Sequence, residues 1–204
     1  MLRKWIGSYL ALVVGVAILG CARTKMTSMP SPDLGGRAFR NIMVFANFSD
    51  LSLRLDAELH LAAASVPGAH RFFPSHQLFF PGRVYSQEEV ASTLRRNGIE
   101  ATLVISTSNA GTKTSQSDPT YTTRCTMWST NGGCQETRTS ASGGESAVTL
   151  WAQFTAQLFD GTTGKAVWIA SASTAGSSGA SAKTLIRSMA DKSVSQLFAD
   201  GVIR

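Results

Sequence analysis

AVTLWAQFTAQLF (residues 147–159) alternates along its whole length. Val148, Leu150, Ala152, Phe154, Ala156 and Leu158 fall on one side of an extended chain, and Thr149, Trp151, Gln153, Thr155 and Gln157 on the other. Period two with one apolar set marks a strand that buries a single face. DGTTG (160–164) follows as a turn, and KAVWIASAST (165–174) returns as a second strand. The two are expected to form an antiparallel hairpin.

Working outward, residues 182–199 are an amphipathic helix, with Leu185, Ile186, Met189, Ala190, Val194, Leu197 and Phe198 on one stripe. Upstream, NIMVFA (41–46) and ATLVIS (101–106) are short apolar runs with β-branched residues, the pattern of buried strands. RFF (71–73) is a further short strand before Pro74. SQEE (86–89) fits a capping box, with Ser86 at the cap and Glu89 reaching back, and Asn97-Gly98 supplies a stop, so 87–97 is a helix. Residues 51–64 fit both periods, since Leu51, Leu53, Leu55, Leu59 and Leu61 alternate while Leu51, Leu55, Leu59 and Ala62 form a helical stripe. Their Leu, Ala, Glu and Arg content decides for a helix. The order β-α-β-α-β-insertion-β-β-α predicts an α/β fold, a mixed sheet of about five strands with three packed helices. Pairing is expected to be parallel early and antiparallel late.

Two regions stand apart. Residues 21–40 hold Ser28, Pro30, Ser31, Pro32, Gly35 and Gly36 with no apolar periodicity, and read as a flexible tether. Residues 107–145 are mostly Ser, Thr, Gly, Asn and Gln and read as an insertion in a single domain spanning 41–204. Its aromatic and sulfur-bearing residues Tyr121, Met127 and Trp128 are candidate partner contacts, together with Trp151 on the hairpin.

The chain opens with Arg3 and Lys4, an apolar run from Trp5 to Leu19, and then Gly20-Cys21. A basic head, an apolar stretch and a small residue before a cut make a secretion signal (1–20), too short to be a typical spanning helix. Ile18-Leu19-Gly20-Cys21 resembles the lipobox of bacterial lipoproteins, against the alternatives of a plain signal peptide or an uncleaved anchor. The resemblance implies cleavage before Cys21, lipidation of Cys21 and membrane attachment. Ala22 in place of Asp at the next position implies the outer membrane, with the body facing the periplasm. Cys125 and Cys134 then remain as an even pair, which an oxidising compartment favours as a disulfide over free thiols. A two-residue turn at Asn131-Gly132 would set Cys125 opposite Arg138, so a bridge would close an irregular loop.

The mature chain would carry 17 basic against 13 acidic residues, after Arg3 and Lys4 leave the 19. That balance is too mild, and too poor in basic–aromatic stripes, for a nucleic-acid binder. No catalytic set emerges from spacing. His60, His70 and His76 have no nearby Cys, and Gly161–Lys165 lacks the phosphate-loop spacing and joins two strands. Gly176-Ser177-Ser178-Gly179 is a helix-entry loop rather than a nucleophile elbow. No catalytic residue, metal or cofactor is expected, and the phenylalanines at 72–73 and 79–80 are core residues before they are a groove.

The order of elements over 41–203, without the insertion, resembles the α/β domain of the curli-secretion lipoprotein, of the outer-membrane activator of a penicillin-binding protein and of the amino-terminal domain of TolB. The expected role is a non-enzymatic envelope module whose partners are the membrane, through the lipid, and an envelope protein or cell-wall polymer. The alternatives are a subunit of an oligomeric secretion pore, which the polar insertion disfavours, and a cell-wall hydrolase.

Overall fold

The computed structural model describes residues 21–116, 120–128, 134–142 and 146–204; side chains are described for 21–116 and 146–204. Eight strands are present among them: β1 (Ala22–Pro30), β2 (Asn41–Asn47), β3 (Arg71–Pro74), β4 (Ala101–Gln116), β5 (Thr120–Trp128), β6 (Cys134–Ser142), β7 (Ser146–Asp160) and β8 (Ala166–Gly176). The helices are α1 (Leu51–Ala63), α2 (Ser75–Leu78), α3 (Gln87–Arg96) and α4 (Ala182–Ala199). Six strands form one sheet in the order β1-β8-β7-β4-β2-β3, and β5 pairs with β6. β2 is parallel to β3 and β4, whereas β4–β7, β7–β8 and β8–β1 are antiparallel. The mixed α/β architecture expected from the alternation is the one observed.

The alternation in β7 sets the layers. Ala152, Phe154, Ala156 and Leu158 are buried, and they join Leu103, Ile105, Ala170, Ala172, Val44 and Ala46 beneath α1 and α4. Ala57 and Leu61 of α1 and Leu185, Ile186, Met189, Ala190 and Leu197 of α4 close this core. The two helices are also joined at their surface by Arg187–Asp56 and His60–Asp191. Across the sheet, α3 covers only β2 and its neighbours, through Leu94 and Val90 over Met43, Ile99 and Phe73.

The turn after β7 is built by Asp160. Its Oδ1 accepts from the backbone N–H groups of Thr162 (2.7 Å) and Thr163 (3.0 Å), and Oδ2 meets Arg37 at 2.8 Å. Burial pushes this carboxyl up, but those N–H groups and Arg37 outweigh it and hold it below its ordinary value. Gly161 is required here, since a Cβ would lie 2.9 Å from the Glu100 carbonyl oxygen.

Two expectations need correction. Residues 21–40 are not a tether. Residues 22–30 form β1 on β8, Leu34 and Phe39 enter the core, and the Phe39 N–H donates to Val202 O at 2.8 Å. The strand escaped the periodicity reading because only Ala22 and Met26 of its inward side chains are apolar, while the alternate ones, Thr24 and Ser28, are hydrogen-bonded. Thr24 meets Thr174 and Ser188, each at 2.8 Å, and Ser28 donates to Asp200 at 2.6 Å. The strand read at 101–106 does not end where the insertion begins either. β4 runs on to Gln116 and β7 starts at Ser146, paired throughout apart from a bulge between Thr107 and Asn109. Backbone ladders need no apolar side chains, so polar composition did not exclude strand.

Candidate functional site

Cys21 is exposed and directly precedes β1, and its carbonyl accepts the Ser177 N–H at 2.8 Å. The cysteine is thus fixed at the C-terminal end of β8, where α4 begins. The segment read as a secretion signal, 1–20, lies outside the described residues. Gly176 pairs with Ala22, Trp151 with Ala175 and Gly111 with Trp151, so the paired continuation of β4 and β7 leaves the sheet at the same end as Cys21.

Thr120↔Ser142 is the pair that the β4–β7 ladder would reach four residues beyond Gln116↔Ser146 if its register continued unchanged. Tyr121, Met127 and Trp128 lie on β5. Their side chains, and the disulfide expected between Cys125 and Cys134, lie outside the described residues. In the backbone register Cys125 faces Thr137 and Cys134 faces Trp128, with bulges between them. Of the four candidate contacts only Trp151 has a described side chain, and it is half-buried on β7.

The most concentrated polar site was missed by the sequence reading. Glu58 is fully buried on α1 and accepts five hydrogen bonds, from Ala46 N (3.2 Å), Arg54 Nε (3.2 Å), Ser75 Oγ (2.6 Å), His76 N (3.1 Å) and His76 Nδ1 (2.7 Å). Burial raises the carboxyl, but the bonds from Ser75, His76 and Ala46 prevail and hold it below the usual range. Arg54 also donates to Ser75 (3.1 Å) and lies 4.6 Å from the Phe45 ring centroid. Ser75 Oγ is committed to Glu58 rather than aimed at His76, so Ser75, His76 and Glu58 form a clamp between α1, α2 and β2, not a nucleophile–base chain. A signal was available. Residues 54, 58, 61 and 65 share a helical stripe, and a carboxylate in line with Leu61 must find partners. Asp56, two residues away, pairs outward with Arg187. His70 is buried and its ring nitrogens meet the carbonyls of Arg204 (3.0 Å) and Ala64 (3.3 Å).

The phenylalanine-rich segment divides. Phe72 is core and Phe73 packs beside Leu94, whereas Phe79 and the exposed Phe80 line a cleft of about 420 Å³ with Met43, Phe45, Val90 and Val104. Its arginines are engaged, Arg54 at Glu58 and Arg83 over the Tyr85 ring at 4.9 Å.

Beyond α3, no described element covers the rest of this side of the sheet. Register places its side chains in rows: Met29, Ile169, Gln157, Val104; then Thr27, Ser171, Thr155, Ser106; then Lys25, Ser173, Gln153, Asn109; then Arg23, Ala175, Trp151, Gly111. The third and fourth rows adjoin the Cys21 end. The arrangement can hydrogen-bond and stack a partner, but offers no acid–base pair.

No protein-family model and no curated protein matches this sequence. Among solved structures the chain is similar to the PelC dodecamer from Paraburkholderia phytofirmans, at 12% identity over 89% of this chain and 99% of that one, with a TM-score of 0.44. It is also similar to lipoprotein GNA1162 from Neisseria meningitidis, at 15% identity over 79% and 99% of the two chains, with a TM-score of 0.39. Likenesses this distant transfer no role.

Proposed function

We propose that this chain is an outer-membrane lipoprotein, anchored by acyl groups on Cys21 and facing the periplasm, whose α/β body is a non-enzymatic binding module of the cell envelope. One observation carries the reading. The lipobox cysteine is bonded by its own carbonyl into the end of the sheet, so the anchor and the folded body meet without a spacer. The rigid body then has a set orientation, with the β4–β7 continuation toward the bilayer and the far end of the sheet away from it. The Glu58 clamp and the uncovered polar rows suit recognition rather than turnover.

The test is the intact mass of the protein extracted from its own membranes in mild detergent. The expected mass is that of residues 21–204 plus diacylglyceryl and acyl groups, and Cys21→Ser abolishes the modification. An amino terminus at any other residue, or an unlipidated Cys21, overturns the anchor.

A second reading, a subunit of an oligomeric pore, gains one observation, since the insertion contains paired strands that leave the sheet at the Cys21 end. The sequence opposes it. Past Leu150 and Val148, the positions on that side of β4 and β7 are Thr114, Gln116 and Ser146, without the apolar lining a membrane strand needs. A ring-sized oligomer in the same mass spectrum would bring it back.

A further inference from the structure

We infer that the uncovered face of β1, β8, β7 and β4 is a binding site for an extended, unbranched acidic polysaccharide. The inference rests on the binding-module reading and names its ligand class.

Three features of the face converge. The first is an aromatic platform. Trp151 stands on this side of β7, and its cross-strand partner is Gly111. A Cβ on Gly111 would lie 3.1–3.2 Å from indole atoms Cζ2, Cε2 and Nε1, so the absence of a side chain lets the ring lie against β4 instead of standing upright. A ring held along a sheet, still half-exposed, offers a π-face to the C–H side of a sugar. The second is a field of neutral hydrogen-bonding groups. Gln153, Asn109, Ser171, Ser173 and Thr27 are exposed around that ring, with Thr155 and Ser106 half-buried among them. None of the hydrogen bonds of the described residues uses these side chains, so their donors and acceptors are turned to solvent.

The third is charge. Arg23 and Lys25 are exposed on β1, on the rows of Trp151 and Gln153. No described carboxylate pairs with either, and the residues that register places on this face of the four strands include no Asp or Glu. The face is therefore positive at the β1 border and again at the exposed Lys113, two residues beyond Gly111 on β4, and neutral between them, complementary to a polymer that carries regularly spaced carboxylates and many hydroxyls. A protein partner of standard size would call for an apolar centre. Here the apolar residues Met29, Ile169 and Val104 share the outermost row away from Trp151, and the two rows between are Ser, Thr, Gln and Asn with Lys25 at the β1 edge. With strands about 4.8 Å apart and about 6.8 Å between same-face residues, four strands and four rows span on the order of 14 Å by 20 Å, room for several sugar units.

The test uses the mature lipidated protein in nanodiscs of phosphatidylcholine, which present no net anionic headgroup. Binding of an oligogalacturonate hexamer and of the neutral hexamer maltohexaose is measured by calorimetry. The expected result is saturable binding of the acidic hexamer, weaker binding of the neutral one, and loss of the difference as salt rises toward ~0.5 M. Trp151→Ala is expected to weaken both hexamers roughly tenfold. Arg23→Gln with Lys25→Gln is expected to weaken only the acidic one, about fivefold. Gly111→Ala keeps the tryptophan but displaces the ring, and is expected to weaken both several-fold while circular dichroism and the melting transition stay close to the parent. Absence of binding by a folded protein, or binding indifferent to all three changes, overturns the proposal. So does a self-associated protein whose oligomer dissociates on Trp151→Ala, which would give the face to a second copy. The lipid is read independently by mass, so a failed anchor and a failed glycan site are told apart.

Discussion

On the side of the sheet that α1 and α4 cover, β7 presents Ala152, Phe154, Ala156 and Leu158, none more than 5% exposed; one residue over on the same strand, the open side shows Gln153, Thr155 and Gln157. β8 repeats the contrast, with Ala170 and Ala172 beneath the helices and Ser171 and Ser173 outside. The two faces share backbone, register and hydrogen bonds, and differ only in what alternate side chains do with water. The covered face holds the fold together by burial; the open face is free to be selected for recognition. Substitution should therefore be costly on one face and cheap on the other.

The sharpest test of that contrast is Trp168→Ala. Trp168 is 1% exposed and donates Nε1–H to Asp200 at 2.7 Å, so its loss should cost about 4 kcal/mol, read from the midpoint of a urea unfolding curve at unchanged slope. Second is Glu58→Gln, which keeps the shape of the clamp and removes its charge. A loss of about 3 kcal/mol is expected, because Arg54 and His76 lose the anion they face. If this variant proved neutral, the clamp would be packing alone.

Acid should act through the same groups. Glu58, Asp160 and Asp200 are each raised by burial and then carried below their ordinary values of 4.5, 3.8 and 3.8 by their hydrogen-bond donors. For Asp200 those donors are Ser28, Trp168 and Gln196. A carboxyl lower in the folded than in the unfolded chain binds fewer protons when folded. Its contribution is complete above the ordinary value and is lost as pH falls from there through the depressed one. Stability measured by urea unfolding should accordingly drop below about pH 4.5, and Glu58→Gln should flatten the upper part of that drop.

Smaller effects belong to exposed positions. Ser86→Ala removes the Oγ that accepts the Glu89 N–H at 3.2 Å and leaves only the backbone N–H of residue 86, which donates to the Glu89 carboxylate at 2.7 Å, and about 1 kcal/mol should be lost. On the open face Thr155→Ala should change stability by no more than about 0.5 kcal/mol. A cost as large as that of Trp168→Ala would mean that this face is packed in the working protein.

How much was legible follows from the kind of force at each place. The β7–β8 hairpin, α3 with its capping box and α4 could be read because their signals are local: alternation, a Ser86–Glu89 spacing, an apolar stripe. β1 could not, since Thr24 and Ser28 are satisfied by Thr174, Ser188 and Asp200, residues roughly 150 or more positions away in the chain. The Glu58 clamp was half-legible, as a carboxylate on the wrong stripe, but its partners come from three elements.

By itself the sequence determined the periods, and with them which residues face inward and where helices start and stop, and it shows the resemblance of Ile18-Leu19-Gly20-Cys21 to a lipobox. Those depend on neighbours a few positions apart, which the chain order supplies directly. Only the tertiary structure decided that residues 22–30 complete the sheet, that Cys21 and the paired ends of β4 and β7 share one end of it, and that Trp151 lies against Gly111 on an uncovered face. Each of these is a juxtaposition of distant segments, and it is strand order and register, set by packing of the whole sheet, that bring them together.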